Sequence, residues 1–169
     1  MSPELAERLR VGGDEILLRL TSAASGGGAI AFEVEMEAGG GPPVLHRHPS
    51  LELYRVEQGE LTLYLGDERI PVAAGEVAFI PGGAEHTIRN ESSSPARAFV
   101  VLSPGGELEA FARAVAAFGE GVEAADLPDL AAAHGIEITR PLSGAGGIAA
   151  GGSGRAAPAA GGDAPRASP

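Results

Sequence analysis

The sequence predicts an all-β fold, a closed barrel or sandwich of short strands, with one or two helices packed outside it. Three observations carry this. Gly (26) and Pro (13) are together about twice as frequent as in an average chain, too dense for a helical bundle. Short apolar or alternating runs recur between Gly- and Pro-containing breaks as far as about residue 103. After Ser103-Pro104-Gly105-Gly106 the apolar spacing becomes helical. Aromatics are only 4% and Trp is absent, so the core has to be aliphatic.

Taken in order, Ser2-Pro3-Glu4 reads as a helix start, with Leu5 and Leu9 one turn apart and Gly12-Gly13 as the stop. Glu15–Leu20 is an apolar strand. Ala29–Glu37 alternates, with Phe32, Val34 and Met36 on one face and Glu33, Glu35 and Glu37 on the other, a solvated or interfacial face. Leu51–Gln58, Leu61–Leu65, Val77–Ile80, Thr87–Asn90 and Ala98–Leu102 are further strands, and many short strands at this spacing point to a closed or double-layered β fold. Glu107–Phe118 then places Leu108, Phe111, Val115 and Phe118 at helical spacing, with acids in the first turn. A second short helix is expected over Pro128–Ala133. Residues 143–169 are Gly, Ala, Pro or Ser except for Ile148, Arg155, Asp163 and Arg166, a composition too poor in apolar surface to offset its ordering entropy. The expected division is therefore one domain over 1–142 and a disordered tail over 143–169.

Several function classes fall away at once. A net charge of −11 leaves no positive surface for a phosphate backbone or an anionic membrane. With no Cys there are no disulfides, thiolate metal sites or Cys nucleophiles. No apolar run approaches the roughly 18 residues of a membrane span, and no signal-peptide core opens the chain, so a cytoplasmic location is expected. Gly-rich phosphate loops and the G-x-S-x-G elbow of hydrolases are absent, and Glu107 and Glu109 would repel a phosphate at the helix that Gly105-Gly106 opens.

Chemistry concentrates in His46, His48, Glu52 and His86. On an extended strand, His46 and His48 share a face, and Glu52 returns to it if the intervening turn is regular. Three neutral imidazoles and a carboxylate suit a borderline divalent metal, and four protein ligands on an octahedral ion leave two positions open. Spacing by itself fits surface histidines beside a turn equally well. Phe32 and Tyr54 fall on inward faces and can line a ligand cavity, with ordinary core packing as the plainer alternative. Met36 reads as core. His134 precedes a Gly at a helix end and reads as a charge at that end, and Glu85 points away from His86 into solvent.

The surroundings of these residues are more specific. Gly40, five residues, His46-Arg47-His48, three residues, Glu52, six residues and Gly59 resemble the first cupin motif. Gly75, five residues, Pro81-Gly82-Gly83, two residues, His86, three residues and Asn90 resemble the second. The 15 residues between Gly59 and Gly75 resemble the short spacer of small microbial cupins, particularly those described as quercetin-dioxygenase-like. The resemblance implies a jelly-roll barrel holding one divalent metal (Fe, Mn, Ni, Co, Cu or Zn) on His46, His48, Glu52 and His86. It also implies structural roles for the motif glycines and Pro81, and a turn or strand-end role for Asn90. The activity implied is a dioxygenase acting on a small chelatable enol or phenol, flavonol-like or polyketide-like, with Glu52 as base and Phe32 and Tyr54 against the ring. The alternatives are a metal-dependent isomerase or epimerase of a small sugar or sugar acid, or a non-catalytic small-molecule-binding cupin. A homodimer is compatible with the family, with Glu15–Leu20 as a strand that can pair across an interface.

Overall fold

The computed structural model describes residues 6–119 and 127–142. Two antiparallel sheets face each other across one aliphatic core. The first runs in the order β1 (Glu7–Val11), β2 (Asp14–Leu20), β3 (Ile30–Met36), β10 (Ala96–Ser103), β5 (Leu51–Gln58), β8 (Val77–Ile80). The second runs β11 (Glu137–Pro141), β4 (Val44–Arg47), β9 (His86–Arg89), β6 (Glu60–Leu65), β7 (Glu68–Ala73). Consecutive strands repeatedly switch sheets, which gives the jelly-roll arrangement. Helices α1 (Gly106–Phe118) and α2 (Leu127–Ala133) follow and lie outside the barrel.

Alternation places the core. Ala96, Ala98, Val100 and Leu102 of β10 point inward, between Val34 and Met36 of β3 and Tyr54 and Val56 of β5. Leu61, Leu63, Val72 and Ile88 close the core from the other sheet. Each fully buried aliphatic side chain contributes about 1.5–3 kcal/mol, so the two inner faces together hold the layers without any large aromatic.

The N-terminal segment differs from the expected helix. Residues 7–11 form a strand, because Leu9 and Val11 alternate with exposed Arg8 and Arg10 and the Gly12-Gly13 turn pairs them with β2. That hairpin hydrogen-bonds β2 on both sides, by β1 and β3, so Glu15–Leu20 has no free edge with which to pair across an interface. Two further strands lack a clear pattern in the sequence. β7 carries charged residues and Pro71 and survives as a strand because it is the outer edge of its sheet. β11 pairs with β4 and fastens the chain after α2 to the strand that carries His46. In α1, Val115 is buried while Phe118, expected on the same stripe, is 60% exposed. The tail over 143–169 lies outside the described residues.

Candidate metal centre

The two sheets supply the candidate ligands separately. His46 on β4 and His86 on β9 are direct cross-strand partners in the second sheet. Glu52 lies on β5 in the first, flanked in register by Leu102 and Ile80. His48 sits in the turn that carries the chain from one sheet to the other. Three local devices fix that turn. The Gly83 N–H donates to the His48 carbonyl (2.8 Å), the Ser50 hydroxyl donates to the Pro104 carbonyl, and Gly82 packs against Pro49. Gly83 has φ +81°, a conformation glycine adopts without strain, so the second motif's turn grips the first motif's histidine. Gly59 and Gly75 also have positive φ, whereas Gly40 does not and is needed for its close approach to Asp14.

Upstream of β4, Arg89 donates to the Gly39 (2.6 Å) and Gly41 (3.0 Å) carbonyls, and Asp14 accepts from the Gly41 N–H (3.0 Å). Asn90, fully buried, donates to the Met36 and Ser94 carbonyls and accepts from Ser92, so it is a strand-end residue and lies away from the centre. Glu85 turns outward to Arg140 (3.1 Å).

One nitrogen from each of His46, His48 and His86 lies within 4.8 Å of the others. The ring centroids are 4.6 Å apart for His46–His86, 5.0 Å for His48–His86 and 5.7 Å for His46–His48. Nε2 of His48 lies 3.0 Å, and Nε2 of His86 3.5 Å, from the Glu52 carboxylate oxygens. Neither nitrogen is aligned to hydrogen-bond there. Both, together with His48 Nδ1, are buried without a hydrogen-bond partner. Buried polar atoms are paired as a rule, and the orphaned nitrogens of His48 and His86, with His46 beside them, fit a divalent cation held by the three histidines; Glu52 stands next to this cluster but outside it. His86 Nδ1 already faces the Ala84 carbonyl (2.9 Å), which leaves Nε2 as the free lone pair, the orientation usual for metal-binding histidines.

Electrostatics without a cation are those of a proton held in its place. Burial would push the Glu52 carboxyl up, but His48 and His86 beside it outweigh burial and hold it at about 2. Burial, and then His86, hold His46 down at about 4. Burial also opposes charge on His86, yet Glu52 and the Ala84 carbonyl prevail and its pKa is raised above 6.5. That proton stabilises the metal-free fold below pH 6.5, and the contribution is lost as pH rises through the folded pKa. Zinc added to apoprotein at pH 6.5 should therefore expel protons, and its affinity should fall as pH is lowered further. Calorimetric titration in buffers of differing ionisation enthalpy measures both.

Two cavities reach the centre. One, of about 130 Å³, is lined by Phe32, Glu52 and Tyr54 with aliphatic residues from β1, β2 and α1. Burial and the neighbouring Glu52 push the Tyr54 hydroxyl's pKa up, so it stays protonated. The other, of about 320 Å³, is bounded by His48, Ser50, Glu107 and His134. Leu108 stands on the wall of both. Sequence spacing carries no signal for the part played here by α1 and His134. His134, just past the end of α2, lies near Phe111 (ring centroids 6.1 Å).

Residues 32–102 match the family described as Cupin domain. Among solved structures, the chain is similar to Streptomyces PAC13 with uridine (15% identity, TM-score 0.55, covering 84% of this chain and 90% of that one). It is also similar to an RmlC-like cupin from Shewanella frigidimarina (17%, TM-score 0.51, 59% and 85%). A third is a predicted oxalate decarboxylase from Thermotoga maritima (23%, TM-score 0.50, 61% and 98%). At these identities the likeness is one of fold. No curated protein matches the chain. Both motifs, complete and folded onto facing sheets, fall inside the matched segment, and a cupin domain therefore occupies residues 32–102.

Proposed function

We propose that the chain is a metal-dependent dioxygenase acting with O2 on a small, uncharged enol or phenol, with His46, His48, Glu52 and His86 as the metal set. The observation that carries this reading is the position of Glu52. Its carboxylate is shared between the histidine cluster and the wall of a mostly apolar cavity bearing Phe32 and Tyr54. The other acid on that wall, Glu109, is already engaged by the Ser22 N–H (2.6 Å) and Arg113 (2.9 Å).

A cation bound there supplies Lewis acidity toward a substrate hydroxyl and the redox partner that oxygen chemistry requires. Glu52, ionised throughout the working pH range, accepts the hydroxyl proton, and its low basicity means that the hydroxyl has to be acidified for the transfer to proceed. Phe32 and the aliphatic walls seat the ring and exclude water. A void of about 130 Å³ is close to the ~150 Å³ apolar cavity that accepts benzene, so it suits one ring rather than a whole flavonol. The larger cavity beside His48 gives the rest of a longer substrate room.

Arg or Lys near the metal would favour the alternative, an isomerase or epimerase of a small sugar or sugar acid. The chain has no Lys, and no Arg lines either cavity among the described residues. Metal-reconstituted protein should consume O2 with one-ring enols or phenols. Glu52→Gln should lower that rate about 10²–10⁴-fold at equal metal loading, read with an oxygen electrode alongside metal analysis. Turnover that proceeds anaerobically would replace the oxygenase with an isomerase.

A further inference from the structure

Two of the three clustered imidazoles are held from behind by the backbone. The Ala84 carbonyl faces His86 Nδ1 (2.9 Å), and the backbone of Val44 hydrogen-bonds His46. His48 has no such support. It is 4% exposed, its Nε2 is turned to Glu52 (3.0 Å), and its Nδ1 has no hydrogen-bond partner among the described residues. A metal-binding histidine almost always donates its second N–H to a carbonyl, a carboxylate or water. At His48 the fold itself supplies none of these.

The cavity of about 320 Å³ gives such a group its place. His48 is the member of the cluster that reaches its wall. The first turn of α1 reaches it too. Gly105 at the N-cap brings no side chain to that turn, and the N–H groups of Gly106, Glu107 and Leu108 have no acceptor among the described residues. Free N–H groups and the positive end of the helix dipole favour an acceptor there. The Ser50 hydroxyl is already given to the Pro104 carbonyl. The Glu107 carboxylate and the absence of any Arg or Lys on the wall weigh against an anion. The space far exceeds a single water's share of about 30 Å³, so it admits an organic group.

We propose that this cavity is a recognition subsite for an uncharged carbonyl group, whose oxygen accepts from His48 Nδ1–H and from the first-turn N–H groups of α1. The inference rests on the enol or phenol reading above and narrows it: the substrate's ring carries an acyl, ester or amide substituent. His48 then serves two partners, the centre through Nε2 and the substrate through Nδ1. A bound carbonyl orients its imidazole as the Ala84 carbonyl orients that of His86.

Binding to the zinc-loaded full chain, measured by calorimetry without O2, tests this independently of turnover. Hydroxyacetophenones should bind about 10-fold more tightly than ethylphenols of the same substitution, which match them in size but lack the acceptor. In protein labelled with 15N at histidine, the His48 Nδ1–H resonance should move when the acetyl compound binds and stay in place with the ethyl compound. Hydroxybenzamide should bind about 10-fold more tightly than hydroxybenzoate, and Glu107→Gln should narrow that gap. Equal affinity for acetyl and ethyl compounds, or a His48 resonance indifferent to the carbonyl, overturns the subsite and leaves the phenol reading standing. A preference for hydroxybenzoate overturns the uncharged class. If neither phenol binds, the subsite and the phenol reading fall together. An acetyl preference in protein that consumes no O2 sustains the subsite and removes the dioxygenase.

Discussion

His86→Ala should lose its metal. Protein purified and dialysed in parallel with the wild type should retain well below stoichiometric metal by elemental analysis, and an affinity titration should show a drop of more than about 100-fold. Outer-shell partners alone are worth about 10–100-fold, and His86 is a proposed direct ligand whose Nε2 has no hydrogen-bond partner in the fold. The same change strikes stability. His86 is 2% exposed and is one of two imidazoles balancing the Glu52 carboxylate, itself 4% exposed. Removing one member of a buried charged set costs about 3–5 kcal/mol, because the remaining charge is stranded. His48 still faces Glu52, which places the expected cost at the lower end. His86→Gln keeps the volume and separates the two effects: stability should recover in part, metal should not. Full occupancy in both variants would exclude His86 from the ligand set.

The parts of this molecule that were legible in the sequence are those in which a local pattern and the tertiary environment demand the same thing. β3 and β10 alternate because one face meets the core and the other does not, and α1 shows its helical spacing for the same reason. The candidate ligands were legible because metal chemistry constrains residue type and spacing together. β7 was hidden because an edge strand has little to bury and tolerates charge and Pro71. The segment around Leu9 misled because two leucines one turn apart fit a helix, while the alternation of Leu9 and Val11 with Arg8 and Arg10 matters only once β2 is there to pair with them. The cavities were hidden for a further reason. Their walls combine β1, β5 and α1, segments distant in sequence, so no window of the chain contains Leu108, Phe32 and Glu52 together. Gly82 belongs here as well: it occupies an unspecified position of the second motif, and only the packing shows what it does.

Gly82→Ala should disturb the metal centre without removing any ligand. A Cβ at position 82 would overlap the Pro49 carbonyl oxygen and lie 3.1 Å from its carbon. Both are backbone atoms, so no side chain can swing aside to relieve the contact. Either the Pro81-Gly83 turn or the His48-Pro49 segment has to move. The Gly83 N–H to His48 carbonyl bond (2.8 Å) couples the two, so His48 is displaced in either case. Forcing extra volume into a packed site costs about 1–3 kcal/mol, and misplacing one ligand should lower metal affinity by about 10–100-fold, the range of a lost orienting contact. Gly12→Ala is the control. Gly12 has φ +68° and nothing within 4 Å of where a Cβ would stand, so alanine there meets backbone strain alone, about 1 kcal/mol, in a hairpin that carries none of the candidate ligands. Thermal melts should register both substitutions, and metal titrations only Gly82→Ala. Equal metal affinity in the two variants would mean that the His48 turn is not held in place by the second motif.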